Sequence, residues 1–408
     1  METKMREYAK LLVEKGANVQ KGQKMYISAP VEGADLARMC AEAAYDMGAK
    51  KVEVVWSDDF LSRMTYLRAD ESIFEEIPEW LGVMYDGFLE EGVAKLVLYG
   101  SDPELLAGVD PDRIQKYQKA MGQRMEKYTM AQTSNKFQWC VGSYATGAWA
   151  KKVFPGIEED KAVSKLWDEI FKAVRVQGDG GAIERWSEFV LSMKRRIKIL
   201  NDYAFKYLEY KNELGTDLVV ELPRGHYWSG ASEKAQNGIE FSANIPSEEI
   251  FTLPKSDGVN GTVYASKPLV LSGNVVSNFH MTLRDGKIVS AVAEKGEEIL
   301  KNYLEIDEGA SFLGEVALVP YDSPISNAGV LFYNTLFDEN ASCHLAFGEA
   351  YPMIKGAAEL SKEEKKALGI NQSFVHEDFM IGTKDLSIVG VTSDGERVQV
   401  FKDGNFAF

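Results

Sequence analysis

The segment SFVHEDFMIG contains three neighbouring residues, His376, Glu377 and Asp378, whose side chains could bind a metal ion. If this segment is a β-strand, its side chains alternate between two faces, so His376 and Asp378 point the same way and Glu377 points the opposite way. An imidazole and a carboxylate in this arrangement can hold one metal ion or form a hydrogen-bonded pair. A polar pair that faces water at the end of a strand is the alternative interpretation.

Other acids and a second histidine in the same half of the chain could complete a metal site. They are Glu248 or Glu249 in NIPSEEIFTLP, Glu315 in GEVALVP, and Glu339 and His344 in LFDENASCHLAFGEAY. An acid within an apolar strand, such as Glu315, is costly to bury without a partner. Alternation alone does not decide which of the two neighbouring glutamates faces inward. Several carboxylates with two imidazoles suit two divalent ions, whereas a structural zinc would need more cysteine or histidine.

The elements that would position these side chains change character along the chain. Up to about residue 150, short apolar strands alternate with amphipathic helices, as in QKMYISAP, GADLARMCAEAAYDMGAK and KVEVVWSDD. This alternation predicts βαβ units and a mainly parallel sheet. Charged helices are expected from about Lys151 to Tyr210.

Strands and turns prevail after NELGTDLVVELP, where RDGK, SDGE and KDGN are typical hairpin turns. We therefore predict two domains with a boundary near Leu214. Residues 1–214 would form an α/β domain with a mainly parallel sheet. Residues 215–408 would form a strand-rich α+β catalytic domain, which holds all four histidines.

The composition disfavours several classes of protein. With 408 residues, 45% of them hydrophobic and 26% charged, the chain is typical of a globular protein of two domains. Its formal net charge of −16 disfavours nucleic acid and anionic membranes as partners. It shows no transmembrane run and no signal peptide. Three widely spaced cysteines predict reduced thiols in a cytoplasmic protein.

Several common catalytic motifs do not occur in the sequence. It contains no G-x-x-x-x-G-K-[ST], no G-x-S-x-G and no H-E-x-x-H. The segment QGDGGAIERW is rich in glycine, but it follows a helix and lacks the lysine of a phosphate-binding loop. Nucleotide binding, serine hydrolase chemistry and the common zinc-protease helix therefore have no support.

Longer motifs resemble, in order and spacing, those of the aminopeptidase T and aminopeptidase S family of dinuclear metallo-exopeptidases. They are NIPSEEIFTLP, GEVALVPYDSPIS, LFYNTLFDENASCHLAFGEAY and HEDFMIG. The likeness extends to GHYWSG and to the N-terminal GQKMYISAPVEG, so it covers nearly the whole chain. KSDGVNG and the middle of GHYWSGASEKAQNG depart from the family pattern, which leaves the side-chain preference open. The resemblance implies an N-terminal α/β domain and a C-terminal catalytic domain, assembled as a homodimer.

The resemblance also implies roles for individual residues. The implied metal ligands are Glu249, Glu315, His344, His376 and Asp378, with Glu339 as a further ligand or site acid. Tyr351 matches a tyrosine at the site, and its hydroxyl would donate to the oxyanion that develops during the reaction. Glu315 or Asp378 would bridge the ions, and Glu339 and Glu248 are both possible general bases.

The implied reaction is hydrolysis of the N-terminal peptide bond of peptides with a free N-terminus, by a water activated by two divalent ions per chain. Zinc, cobalt, manganese and magnesium all remain open. Two alternatives remain: a mononuclear metal amidohydrolase, and a non-enzymatic binding protein of two domains. Elemental analysis separates these possibilities, because they predict about two, one and no ions per chain.

Overall fold

The computed structural model describes residues 1–271 and 274–408. Its helices, numbered in chain order, are α1 (Glu2–Leu11), α2 (Ala34–Asp46), α3 (Asp59–Arg68), α4 (Glu79–Glu90), α5 (Pro111–Thr133), α6 (Gly147–Val153), α7 (Glu159–Ala173), α8 (Ala182–Tyr203), α9 (Glu297–Leu304), α10 (Pro324–Asn327), α11 (Thr335–Asp338) and α12 (Lys362–Ala367).

The strands are β1 (Lys24–Pro30), β2 (Lys51–Ser57), β3 (Ala94–Tyr99), β4 (Trp139–Ser143), β5 (Tyr207–Lys211), β6 (Asp217–Glu221), β7 (Ser229–Gly230), β8 (Glu233–Lys234), β9 (Glu240–Phe241), β10 (Ile250–Thr252), β11 (Val259–Tyr264), β12 (Leu269–Leu271), β13 (Asn274–Arg284), β14 (Lys287–Lys295), β15 (Leu313–Leu318), β16 (His344–Gly348), β17 (His376–Met380), β18 (Ser387–Val391), β19 (Arg397–Lys402) and β20 (Asn405–Phe406).

The chain forms two compact units that interleave along the sequence. The first comprises residues 1–189, 232–246 and 330–334, and the second comprises residues 190–231, 247–329 and 335–408. The chain therefore passes between the units more than once, and its first passage falls within α8. The sequence-based division into independently folding domains at residue 214 stays a prediction.

The first unit is built on a parallel sheet in the strand order β2-β1-β3-β4. β1 pairs in parallel with β2 and β3, and β3 pairs in parallel with β4. Helices follow β1, β2 and β3, and α2 buries one face through Leu36, Cys40 and Ala44, which recur at helical spacing. The predicted mainly parallel α/β sheet is confirmed.

The glycine-rich segment before α8 is occupied by a carboxylate from α1. The backbone N–H groups of Gly178 and Ala182 donate to the two oxygens of Glu7 at 2.6 and 2.7 Å, and Arg185 donates to the same carboxylate at 3.1 Å. Glu7 therefore takes the place that an anion would occupy at this helix N-terminus.

The second unit contains a five-stranded sheet in the order β17-β16-β15-β10-β7. Its central strands β15 and β16, with the sequences LGEVAL and HLAFG, are buried along their whole length. Near-continuous apolar sequence is typical of strands that are covered on both faces. Glu315 and His344 are therefore exceptional, because they are polar residues within these strands.

A larger sheet in the second unit follows the order β12-β13-β11-β6-β5-β18-β19-β20, and β14 pairs with β13. The turns predicted from RDGK, SDGE and KDGN connect the antiparallel neighbours β13–β14, β18–β19 and β19–β20. The strand-rich character predicted for the C-terminal half is confirmed.

The prediction that helices extend as far as Tyr210 was wrong for the last residues of that range. α8 ends at Tyr203, Ala204 has a positive φ of 44°, and β5 begins at Tyr207. Residues of β5 pair with both β6 and β18, so sheet formation overrides the helical propensity of YAFKYLEYK.

None of the helices within residues 1–271 and 274–408 combines the length and the apolar character needed to cross a membrane.

Candidate metal centre

Three strands of the five-stranded sheet place their polar side chains on one face. Ala346 on β16 lies directly opposite Glu315 on β15 and Asp378 on β17. Directly opposed residues of neighbouring strands share a face. The small side chain of Ala346 therefore separates two carboxylates without filling the space between them.

The two histidines reach the same face through similar pairings. His344 lies opposite Ala317 on β15, and His376 lies opposite Gly348 on β16. The alternation predicted for the HED segment is observed, since His376 and Asp378 both lie on this face and Glu377 lies on the other, opposite Phe347. Glu249 directly precedes β10, which is the neighbour of β15.

Within the described part of the chain, these residues form two groups of three whose possible ligand atoms all lie within 4.8 Å of one another. We call Glu249, Glu315 and His344 the inner group, and Glu315, His376 and Asp378 the outer group. Each group offers two carboxylates and one imidazole, and Glu315 belongs to both.

The carboxylate of Glu315 faces the two groups with different oxygens. Its Oε1 lies 3.7 Å from Nε2 of His344, and its Oε2 lies 3.6 Å from Nε2 of His376. In the inner group, Nε2 of His344 also lies 3.5 Å from Oε2 of Glu249. In the outer group, Nε2 of His376 lies 3.5 Å from Oδ1 of Asp378. The geometry suits a carboxylate that bridges two cations.

Backbone carbonyls orient both imidazoles. Nδ1 of His344 lies 3.1 Å from the carbonyl of Ser342, and Nδ1 of His376 lies 2.7 Å from the carbonyl of Glu349. A carbonyl can only accept, so each Nδ1 carries the proton and donates it. When an imidazole is neutral, its Nε2 then presents the electron pair that a metal requires.

The loop before β17 is held in place by acidic side chains. Asp307 accepts from the backbone N–H of Phe374 at 2.6 Å and from the hydroxyl of Ser373 at 2.9 Å. Glu349 accepts from the backbone N–H of Ser373 at 2.6 Å. These contacts fix the chain immediately before His376, and no sequence signal pointed to them because they depend on distant loops.

Gly348 allows β16 and the start of β17 to approach closely. It has a φ of 105°, and a Cβ added to it would lie 2.0 Å from the carbonyl oxygen of Val375 and 3.3 Å from Cα of His376. A side chain at this position would therefore displace the backbone that carries His376.

Side chains of the inner and outer groups have perturbed pKa values because several carboxylates lie close together and are largely shielded from water. Burial, with the charge of Glu315, raises the pKa of Glu249 to about 7. Burial lowers the pKa of His344, but Glu315, Asp378 and Glu249 outweigh it and raise that pKa to about 10. The same balance raises the pKa of His376 to about 9. Crowded carboxylates of this kind are stabilised by cations.

Asp378 shows most directly that the residues fit a metal ion. Burial would raise its pKa, but His376 and His344 hold the pKa below its ordinary value, so the carboxylate is charged. Its Oδ1 is buried and has no hydrogen bond of normal length among the described residues, since Nε2 of His376 lies 3.5 Å away. A buried anionic oxygen without a donor is costly, and a coordinated cation removes that cost.

Three further residues named from the sequence belong to neither group among the described residues. Glu339 belongs to neither group among the described residues, although its pKa is raised well above the ordinary value by burial and by Glu249 and Asp378. The ring of Tyr351 lies 5.6 Å from that of His376. Glu248 is buried, and its backbone N–H donates to Asn340 at 2.7 Å; Glu249 is the glutamate of this pair that joins the inner group.

The remaining histidines and Cys343 lie outside both groups. His226 bonds through Nδ1 to the carbonyl of Pro223 at 2.9 Å, and His280 stacks on Tyr264 at 4.7 Å between ring centroids. Burial raises the pKa of Cys343 to about 12, and its thiol donates to the carbonyl of Val319 at 3.2 Å. Such a thiol is a packing residue rather than a nucleophile.

The chain is similar to known metallo-aminopeptidases over its whole length. A family model described as thermophilic metalloprotease (M29) matches residues 1–406. The chain is 47% identical to aminopeptidase AmpS of Bacillus subtilis (strain 168) over 406 residues, or 99% of this chain and 98% of that protein. It is 38% identical to aminopeptidase T of Thermus thermophilus, with 98% of each chain covered. The solved structure of wild-type AmpT from Thermus thermophilus matches with a TM-score of 0.92 and 37% identity, covering 99% of both chains.

Proposed function

The chain belongs to the thermophilic metalloprotease (M29) family, and from that premise we propose that it removes N-terminal residues from peptides by means of two divalent ions, held by the inner and outer groups. Its similarity to aminopeptidases makes it a metal-dependent aminopeptidase, a hydrolase that acts as an exopeptidase. One observation supports the dinuclear proposal above all others: the two oxygens of Glu315 face different imidazoles.

The residues of the two groups would hold the ions through oxygen and nitrogen atoms, which suit zinc, cobalt, manganese and magnesium. When bound, such ions lower the pKa of a water toward ~7 and polarise the carbonyl of the scissile bond. The protein contributes fixed positions for its ligands. Both imidazoles are oriented by backbone carbonyls, and Glu315 belongs to both groups and so links them.

We assign Glu339 to the substrate rather than to a metal ion. It lies beside both groups without belonging to either, in a one-turn helix, Glu339–Ala341, that begins directly after α11. A carboxylate in this position can accept hydrogen bonds from the α-ammonium group of a peptide, or accept a proton during hydrolysis. Recognition of the α-ammonium group would explain why an exopeptidase requires a free N-terminus.

Tyr351 is proposed as a donor to the carbonyl oxygen of the scissile bond as negative charge develops on it. Loss of water around the phenol, together with the charges of Glu315 and Asp378, raises its pKa to about 12. The hydroxyl therefore keeps its proton at neutral pH and is available to donate. About half of the residue is exposed, at 54%, so a substrate can reach it.

Two further expectations of the family resemblance remain proposals. We propose that the protein acts as a homodimer, which sedimentation equilibrium would test by molar mass. We also propose that it acts in the cytoplasm, in keeping with three cysteines that are all free and buried. Peptides are the proposed substrates, and the residue preferred at the N-terminus stays open.

Metal content and substrate choice test the proposed function together. The purified protein is saturated with Zn²⁺, freed of excess by gel filtration and analysed for zinc per chain. The same preparation is assayed on a short peptide and on its N-acetylated twin. We expect about two ions per chain, as the shared Glu315 requires, and cleavage of the free peptide only.

The two measurements separate the alternatives. One ion per chain would favour the mononuclear amidohydrolase, and no bound zinc with no turnover would favour a binding protein. Equal rates on both peptides would contradict recognition of the free amine and would indicate an amidase or an endopeptidase.

A further inference from the structure

The two groups of the metal centre have matching donors but different surroundings. Each consists of two carboxylates and one imidazole, and they share Glu315. Ligand chemistry alone therefore gives no reason for one position to bind a given divalent ion better than the other. Any difference between the two positions must come from burial and from the backbone that carries the ligands.

The two groups differ in burial, mainly at their histidines. The two ligands that belong only to the inner group, His344 and Glu249, have side chains that are 1% and 15% exposed. The two that belong only to the outer group, His376 and Asp378, are 27% and 19% exposed. The outer ligands have more room to turn toward solvent, whereas His344 is enclosed by close-packed neighbours.

The backbone supports of the two groups differ in the same direction. Of the two ligands that belong only to the inner group, His344 stands on β16, which pairs with β15 on one side and β17 on the other. Glu249 directly precedes β10, which pairs with β15 and β7. His376 and Asp378 stand on β17, which ends the described order of strands; it pairs with β16, and its other side receives one backbone hydrogen bond, from Ser266 to Met380 at 2.8 Å. An edge strand has fewer hydrogen bonds to break, so local opening is easier there than in central strands.

We propose that the two metal positions are unequal: the inner group retains its ion, and the outer group exchanges its ion readily with solvent. This inference rests on the proposed dinuclear function. Release of an ion requires water or a chelator to reach it and its ligands to move away. Both requirements are easier to meet on the half-buried edge strand than on the buried central strands.

The test measures release of zinc rather than catalysis. Protein saturated with Zn²⁺ is mixed rapidly with excess of the chromogenic chelator 4-(2-pyridylazo)resorcinol, and zinc transfer is followed by absorbance. We expect two phases of about one ion each, with rates at least ~10-fold apart, the lower end of the range by which surrounding groups change metal affinity. Release of both ions in a single phase would overturn the inference.

Two matched variants assign the phases. Asp378→Asn and Glu249→Gln each replace one carboxylate by the amide of nearly the same shape, in the outer and the inner group respectively. We expect the Asp378 variant to lose or accelerate the fast phase and keep the slow ion, and the Glu249 variant to lose the slow phase. The opposite assignment would overturn the inference.

Failure of the inference can be distinguished from failure of the proposed function. Wild-type protein that saturates at one zinc ion per chain would contradict the dinuclear function and the inference with it. Two ions that leave at the same rate would contradict only the inference. Circular dichroism melts of both variants, taken with zinc present, confirm that each compared protein is folded, and the wild-type release curve provides a test that needs no variant.

Discussion

Substitution of Gly348 by alanine tests whether the position of His376 controls the outer group. The added Cβ would lie 2.0 Å from the carbonyl oxygen of Val375, whereas side-chain carbon atoms of this kind stay at least 3.0 Å from such neighbours. The strand that begins at His376 must therefore move by roughly 1 Å, five times the ~0.2 Å tolerance of metal–ligand distances. A displacement of that size at a catalytic site costs about 10²-fold in rate.

The backbone at Gly348 adds a cost in stability that has nothing to do with the metal. Its φ of 105° lies in a region that residues with a side chain rarely adopt, at a cost of about 1–3 kcal/mol. Gly395 is a matched control, because it has a φ of 91° and a Cβ added there meets nothing within 4 Å. Gly395→Ala should carry the backbone cost without the collision.

The assay compares kcat/KM on a chromogenic aminoacyl anilide, zinc per chain and the thermal melt for both variants. We expect Gly348→Ala to lose about 10²-fold in kcat/KM and to lose the outer ion, while Gly395→Ala keeps wild-type activity and both ions. A Gly348 variant with full activity and two ions would refute the reasoning. So would an equal loss of activity in the Gly395 variant, since the loss would then reflect general destabilisation.

Three further substitutions test separate parts of the structure. Tyr351→Phe should lower kcat by about 10²–10³ with little change in KM, because a donor to the developing oxyanion acts mainly in the transition state; steady-state kinetics with an unchanged kcat would remove Tyr351 from the reaction. Glu339→Gln should keep two zinc ions but raise KM for peptides with a free N-terminus; loss of an ion on elemental analysis, with substrate discrimination unchanged, would make Glu339 a ligand instead. Lys95→Met should stabilise the protein by about 2 kcal/mol below pH 8. Burial lowers the pKa of Lys95 from 10.5 to about 8, which corresponds to about 3 kcal/mol, and loss of the hydrogen bond that Lys95 donates to Gln132 at 2.7 Å offsets about 1 kcal/mol. Between these two pH values the unfolded chain holds the proton that the folded chain has released, so the wild type gains stability as the pH rises. The advantage of the variant should therefore vanish by about pH 10.5. Denaturant unfolding of both proteins at pH 7 and pH 10.5 measures this difference, and a gain in stability that is independent of pH would contradict the prediction.

The sequence predicted those features of the site that depend on local periodicity. His376 and Asp378 share a face because alternation along a strand holds whatever the strand pairs with. The parallel sheet of the first unit followed in the same way from strands and helices that alternate along the chain.

Features that depend on distant contacts could not be predicted from local patterns. Alternation alone did not choose between Glu248 and Glu249; the family resemblance implied Glu249, and the pairing of β10 with β15 brings Glu249 close to Glu315. Glu315 and Asp378 were equally good candidates for the bridging acid until the distances showed that Glu315 faces both imidazoles. The end of α8 could not be predicted either, because the pairing of β5 with two other strands overrides the helical pattern of the sequence there.

Which nitrogen of each imidazole carries the proton could not be predicted from the sequence for a different reason. The acceptors for Nδ1 of His344 and of His376 are main-chain carbonyls, of Ser342 and Glu349. Every residue has a carbonyl, so no residue type marks this function in the sequence. The same holds for Gly348, whose close approach to Val375 depends on the partner strand.

The interleaving of the two units has a consequence for the order of events during synthesis. Trp186 donates its indole N–H to the hydroxyl of Ser242 at 3.1 Å, and Trp149 donates to the carbonyl of Phe332 at 2.6 Å. A buried donor without its acceptor costs about 1–3 kcal/mol. The first unit therefore stays incomplete until residues 330–334 have left the ribosome.

The delay can be expressed as a time. Between residue 189 and residue 334 the ribosome adds 334 − 189 = 145 residues, which takes roughly 7–30 s at typical rates of translation. During that interval the nascent N-terminal unit first lacks both of its later segments, residues 232–246 and 330–334, and then only the second of them. It is then exposed to chaperones and proteases that the finished protein would escape.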